Sequence, residues 1–256
     1  MRQLPLRASV LTAAAIALTV GSALAQANNL TRSYVVTAKP GMAAQLAAAI
    51  REHAQWRKAN HDPWTWGVYT PETGADLGTF FIRSGNHTWA DFDAYDKGFG
   101  PQGQVQWAAN VAPLVQSISS SIDRRLPDSL NQLPPTGTAI NLANVTTFRI
   151  RVGMEPQFES QVAQAVKVLK AAKWPGYWVW FTPVSGGPEI GPVVYLAGLF
   201  GTWADMKEPD PSFASVMTKA LGQDGFTKWV NAFNATLRAT SEGTVRYRPD
   251  LSVMPD

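Results

Sequence analysis

Two stretches of this chain, residues 65–74 (T-W-G-V-Y-T-P-E-T-G) and 177–186 (Y-W-V-W-F-T-P-V-S-G), read as one segment written twice. With Pro71 set on Pro183, Trp66 falls on Trp178, Thr70 on Thr182 and Gly74 on Gly186, an offset of 112 residues. Gly41-Met42 matches Gly153-Met154 at that same offset, and Thr88-Trp89-Ala90-Asp91 matches Thr202-Trp203-Ala204-Asp205 at 114. At 122, Trp107 meets Trp229 and the R-R-L-P-D of 124–128 answers the R-Y-R-P-D of 246–250; the eight added residues lie within 207–225, where Pro209 and Pro211 interrupt the helical pattern. Such spacing calls for two like units in tandem, a first repeat over 30–128 and a second over 145–251, joined by a linker at 129–144 punctuated by Pro134-Pro135 and Gly137.

The order of elements inside each unit follows from hydrophobic period. Residues 34–39, rich in β-branched side chains, predict a strand that Pro40-Gly41 ends. Leu46, Ala49, Ile50, His53 and Trp56 then recur three and four apart, which predicts a helix over 43–59. Strands follow at 65–70 and 78–84, a short helix at Trp89, Phe92 and Tyr95, a second helical stretch at 104–115 and a closing strand at 117–125. The second unit repeats this with strands at 147–152, 177–182 and 193–199, a helix carrying Phe158, Val162, Ala165, Val166 and Leu169, and a late stripe of Phe226, Trp229, Val230 and Phe233. Each unit reads β-α-β-β-α-β, the ferredoxin-like order, so the fold class is α+β. Both alternating sets of strand 177–182 are bulky: Tyr177, Val179 and Phe181 on one side, Trp178 and Trp180 on the other. A sheet with one wet face alternates apolar with polar instead. The expectation is that the two sheets pack against each other into an α/β barrel with an aromatic-lined interior.

A tandem βαββαβ chain with a Gly-Met turn into its first helix and a Trp opening its second resembles the dimeric α/β-barrel superfamily, and within it the antibiotic-biosynthesis-monooxygenase-like domains. The resemblance covers about 30–127 and 145–251 and is one of layout. It implies a fold shared by cofactor-independent monooxygenases, haem-degrading enzymes, haem peroxidases and isomerases, so it implies no single reaction. No stretch here matches a catalytic signature of one branch, and no functional residue is carried over.

The first 25 residues stand apart. Arg2 and Arg7 precede an apolar stretch at 10–20, and Ala23-Leu24-Ala25 supplies a small-x-small cleavage site, so a signal peptide ending near Ala25 and a periplasmic or secreted mature chain are expected. The apolar stretch is shorter than the roughly 20 residues a bilayer crossing needs, and no stable membrane insertion is expected. Removing this segment leaves 20 basic and 19 acidic side chains, a balance with no electrostatic footprint for nucleic acid. The chain has no Cys, which excludes disulfides and thiolate chemistry.

The repeat serves as an internal control, because polar groups present in one unit only are not explained by shared packing. His53 falls opposite Ala165, His61 opposite Lys173, His87 opposite Gly201 and Arg83 opposite Ala197. His53 reads as a haem ligand or base, or as a packed histidine with one hydrogen bond. His61, in Asn60-His61-Asp62-Pro63, reads as a base oriented by Asp62 or as an exposed turn residue. No two histidines have metal-ligand spacing, and no metal site is expected. Arg83 shares a strand face with Phe81; if that face points inward, it needs an anionic partner from the protein or a ligand.

Three functions remain open at this point. Trp64, Trp66, Trp178 and Trp180, with Arg83, could line a site for a hydrophobic or aromatic small molecule, with no assigned catalysis. A monooxygenase-like or haem-using enzyme would instead place Arg83 and His87 together as its polar pair, with haem as the cofactor in the second case. A structural envelope protein would fill both units with side chains. Self-association is open as well.

Overall fold

The computed structural model describes residues 28–253 apart from Ala75, Pro188 and Ile190, so the expected signal segment lies outside the described residues. Eight strands and five α-helices are described. In chain order they are β1 (Leu30–Ala38), α1 (Ala43–Ala59), β2 (Gly67–Pro71), β3 (Thr79–His87), α2 (Trp89–Lys97), α3 (Gly100–Asn110) and β4 (Val115–Arg125). The second half follows with β5 (Leu142–Ile150), α4 (Glu155–Ala171), β6 (Tyr177–Gly186), β7 (Val193–Phe200), α5 (Phe213–Ala235) and β8 (Leu237–Tyr247). The strands close into one barrel in the order β1-β3-β2-β8-β5-β7-β6-β4.

The halves meet at their edges. The expected α/β barrel is closed by two antiparallel seams, with Tyr69 opposite Tyr247 between β2 and β8, and Arg124 opposite Thr182 between β4 and β6. Closure of this kind pairs every edge strand along part of its length, Ser121–Arg125 of β4 on β6 and Val245–Tyr247 of β8 on β2. The repeated glycines of the two matching segments lie at these seams. Gly74 and Gly186 both hold positive φ, at 101° and 68°. A Cβ on Gly186 would collide with the Ser120 carbonyl oxygen across the β4–β6 seam.

The helices cover the outside. Val36, Phe80 and Ile82 turn outward onto Leu46 and Ile50 of α1 and onto Phe92 and Tyr95 of α2. In the second half Trp178, Trp180 and Val194 turn outward onto Phe158, Val162 and Val166 of α4. The opposite set of strand residues faces the lumen, where Phe181, Ala143 and Ala197 gather with Val145, Val179, Tyr195, Leu199 and Val245. Both faces of β6 are therefore covered, as its bulk requires, one by helices and the other by the far wall of the barrel.

Two differences from the pattern-based boundaries have local causes. The linker expected to end at 144 ends three residues sooner, because β5 begins at Leu142 and pairs at once with Phe200 and Arg246. In the 207–225 stretch a long helix starts at Phe213, capped by the Ser212 hydroxyl, and breaks at Gly222, which takes φ 74° and ψ 164°. A single 3-10 turn at Ala204–Met206 stands where the first half has the nine-residue α2. α2 itself begins with a reciprocal cap: the Thr88 hydroxyl accepts from the Asp91 N–H, and the Asp91 carboxylate accepts from the Thr88 N–H at 2.7 Å. That arrangement satisfies two of the donors a helix start leaves open.

Candidate functional site

Two cavities lie between the helix layer and the outer face of the barrel wall, one in each half. The larger, of about 790 Å³, sits under α4 and α5 and is walled by Phe148, Leu169, Trp174, Trp178, Trp180 and Phe233, among others. The smaller, of about 290 Å³, sits under α1 and α3 and is walled by His53, Arg57, Trp66, Ile82 and Trp107, among others. Their walls correspond position by position at the sequence offsets: Trp66 with Trp178, Ile82 with Leu196, Trp107 with Trp229, His53 with Ala165 and Arg57 with Leu169. Equivalent places in the two halves thus carry opposite chemistry.

The first-half cavity borders a buried polar network centred on Asp62. Its carboxylate, with no solvent exposure, accepts from the Trp64 backbone N–H at 2.9 Å, the Trp66 indole at 3.0 Å and the Tyr95 hydroxyl at 3.1 Å, and it pairs with the Arg57 guanidinium. Four donors on one carboxylate offset the cost of taking it out of water, which for an unpaired ion is several kcal/mol. Arg57 also donates from Nη1 to the Tyr95 hydroxyl at 2.6 Å and from Nε to His53 Nε2 at 2.7 Å, and its guanidinium lies 4.8 Å from the Trp66 ring centroid. The other ring nitrogen of His53 bonds to the Gln106 side-chain oxygen. Burial, and then the Arg57 charge, lower the pKa of His53 to about 4. Burial pushes Tyr95 up to about 12.

Arg83 points into the lumen. It reaches the Ser33 hydroxyl at 3.1 Å and Asp123 at 3.3 Å, and stands 4.4 Å from the Phe181 ring centroid. The anionic partner of this half-buried arginine comes from the protein, on β4. Asp123 also accepts from the Ser33 and Ser121 hydroxyls at 2.6 and 2.8 Å. Nearby, Tyr195 stacks on Phe181, and its hydroxyl is pushed up to about 12 by burial and by the Asp123 and Glu189 carboxylates.

Arg83 and His87 do not come together. Strand alternation puts them on one face, but the register of β1 on β3 shifts between Leu30–His87 and Arg32–Ser84, with Asn86 at φ 63°. This bulge adds a residue and reverses the alternation, so His87 faces outward. There it accepts a place in a stack, 3.8 Å from Trp64, which itself stacks on Tyr95 at 3.9 Å, and its Nε2 bonds the Ser84 hydroxyl at 2.7 Å. Burial lowers its pKa. Trp64, Trp66, Trp178 and Trp180 likewise face the helix layer, which corrects the expectation that they line the barrel interior: the lumen instead takes the odd-numbered set of β6, Val179 and Phe181. Trp66, Trp178 and Trp180 line the two outer cavities. His61 is exposed at the end of α1 in a left-handed turn, φ 55°, as is its counterpart Lys173 at φ 50°. Asp62, read in the sequence as a partner that orients His61, turns to Arg57, Trp66 and Tyr95 instead, and Arg57 and Asp123 are marked by no motif. The half-to-half comparison reaches them when applied to every charged residue, since they fall opposite Trp174, Leu169 and Val245.

Among the described residues no group of three or more His, Asp or Glu is placed to hold a metal ion. A haem with a proximal imidazole does not fit either cavity, because His53 has both ring nitrogens engaged and no histidine lines the larger space. Among the described residues, too, no helix is long and apolar enough to cross a membrane.

No family model matches this sequence, and no curated protein matches it. Solved structures do. A candidate monooxygenase from Lactobacillus acidophilus NCFM superposes with a TM-score of 0.52 at 6% identity, over 88% of this chain and 95% of that one. An anthrone oxidase-like protein superposes at 0.50 with 13% identity, over 86% and 92%. A variant chlorite dismutase from Candidatus Nitrospira defluvii in complex with cyanide superposes at 0.50 with 7% identity, over 88% and 92%. These neighbours are monooxygenase-like and chlorite dismutase-like proteins, and the chain shares their ferredoxin-like α/β-barrel fold.

Proposed function

We propose that this protein binds a hydrophobic, flat aromatic small molecule in the second-half cavity. One observation carries the reading: a space of about 790 Å³ whose deep wall is built from Phe148, Trp178, Trp180 and Phe233, with the polar Asp205, Lys207 and Asn234 also on its lining. Ligand sites run to about 300–1,000 Å³ and are mostly apolar with few polar groups, which is the composition found here. A space of this size also speaks against an envelope protein whose halves are filled by their own side chains.

The test is thermal unfolding with naphthalene, indole and biphenyl. Ligand at about a hundred times its Kd adds about 2.7 kcal/mol, a rise of about 5–10 °C for a chain this size. Leu196→Trp, which enlarges a wall residue into the space, should remove the rise. No rise with any of the three compounds in the unsubstituted protein would end the reading.

An oxygenase reading has the fold likeness to candidate monooxygenases behind it. Arg83 and His87 would not serve it as a pair, since they face opposite sides of β3. Oxygen uptake in the presence of the bound ligand tests it directly, and no uptake rejects it.

Two further points belong to this reading. The halves are copies of one βαββαβ unit, supported by equal strand orders, β4-β1-β3-β2 and β8-β5-β7-β6, and by the 112-residue offset. The mature protein works outside the cytoplasm, supported by the composition of residues 1–25; N-terminal sequencing that finds Met1 retained on the expressed protein would reject it.

A further inference from the structure

We infer that the first-half cavity is a second ligand site, for a one-ring aromatic compound bearing an oxygen acceptor, with Arg57 as its anchoring donor. Size sets the ring count. An apolar cavity of about 150 Å³ accepts benzene, so 290 Å³ accommodates one substituted ring. The walls set the flat, apolar part of the ligand: Trp66, Trp107 and Ile82 face the space.

Arg57 sets the polar part. Its Nη1 and Nε are taken by Asp62, Tyr95 and His53, while Nη2 has no hydrogen-bond partner among the described residues. The guanidinium has room beside α3 because residue 103 is glycine; a Cβ there would lie 3.4 Å from both Nη1 and Nη2. His53 offers a ligand nothing, since both of its ring nitrogens are bonded. The Asp62 carboxylate is held by four donors of the protein, so it does not compete for the ligand's place at Nη2. What is left for a ligand is one cationic donor at the edge of an aromatic slot, which suits a carboxylate or carbonyl on a ring. Half-exposed Ile118 on β4 lines the same cavity and marks its entrance. In the second half the matching positions are Leu169 and Ala165, so the second-half cavity has no guanidinium at the equivalent place.

The experiment is calorimetric titration of the Leu196→Trp protein, in which the larger cavity is filled, with benzoate, benzamide and toluene. Benzoate or benzamide should bind at least tenfold more tightly than toluene. Ile118→Trp, an exposed change that covers the entrance, should weaken that binding at least tenfold. Gly103→Ala, which favours the helix and crowds the guanidinium, should weaken it at least fivefold with the melting temperature kept. Absence of binding by both oxygen-bearing probes, equal binding of toluene, or indifference to Ile118→Trp overturns the inference. Failure here leaves naphthalene binding by the Ile118→Trp protein unchanged, which separates it from failure of the second-half site.

Discussion

Arg57 Nε donates to Nε2 of His53 across 2.7 Å, one turn apart on the same face of α1. A guanidinium has donors only, so this bond makes Nε2 the acceptor and leaves the ring hydrogen on Nδ1, facing the Gln106 side-chain oxygen. His53 is thereby held neutral inside the first half.

That neutrality makes stability depend on pH. Burial and Arg57 lower the folded pKa to about 4, against an ordinary 6.5. The stabilisation is full above pH 6.5 and is lost as pH falls toward 4, because the unfolded chain takes up the proton first. The shift corresponds to roughly 3 kcal/mol. His87, also lowered by burial, acts in the same direction. Urea unfolding at neutral pH and near pH 4 should therefore show a smaller loss in His53→Gln than in the unsubstituted protein, by roughly that amount. Equal losses would show that His53 is not the group responsible.

The lumen pair should be asymmetric. Asp123 is the more buried partner, with 7% of its side chain exposed against 30% for Arg83. Arg83→Met strands the buried carboxylate with two serine hydroxyls and should cost about 3 kcal/mol. Asp123→Asn leaves an arginine that lumen water can reach and should cost less. The double variant should recover part of the loss, a coupling that a denaturation cycle measures; strict additivity would mean the pair contributes nothing.

Two neighbouring tryptophans should respond differently to the same change. The Trp178 indole donates to the Leu130 carbonyl at 2.9 Å, whereas the buried Trp180 Nε1 has no partner among the described residues. Trp178→Phe orphans an acceptor, while Trp180→Phe removes an orphaned donor. The first should be the more destabilising by about 1 kcal/mol. The reverse order in chemical denaturation would contradict the assigned bonds.

Gly186→Ala should be among the most damaging single changes. It combines a positive φ of 68° with a collision against the Ser120 carbonyl oxygen at the seam that closes β4 onto β6. A loss of about 2–4 kcal/mol is expected. Gly78→Ala, with φ 89° and open space around its Cβ, carries the backbone cost alone and should lose about 1 kcal/mol. Similar losses in the two would place the strain in the backbone rather than at the seam.

Much of this fold is legible in the amino-acid sequence. Strands, helices and their order follow from side-chain period and from Pro and Gly, which act over a few residues. That is why α1 begins and ends where the pattern of Leu46, Ile50 and His53 says it should. The bulk on both sides of β6 also forced two covered faces. Which cover lies on which face was beyond reach, because Trp178 and Val179 are equally able to meet a helix or a far strand. The His87 bulge was hidden for a similar reason: Asn86 turns left-handed only in the pairing with β1.

By itself, then, the amino-acid sequence determined the segments that recur at a fixed offset, the α+β element order, the want of cysteine chemistry and the placing of all three histidines before residue 88. Only the tertiary structure decided that the halves join edge to edge, that the tryptophans belong to the helix side, and that Arg83 is answered by Asp123 from 40 residues away. Local preferences are set by the backbone and by neighbours a turn apart. The direction a side chain faces is set by strand register, and register is the joint outcome of closing all eight strands at once.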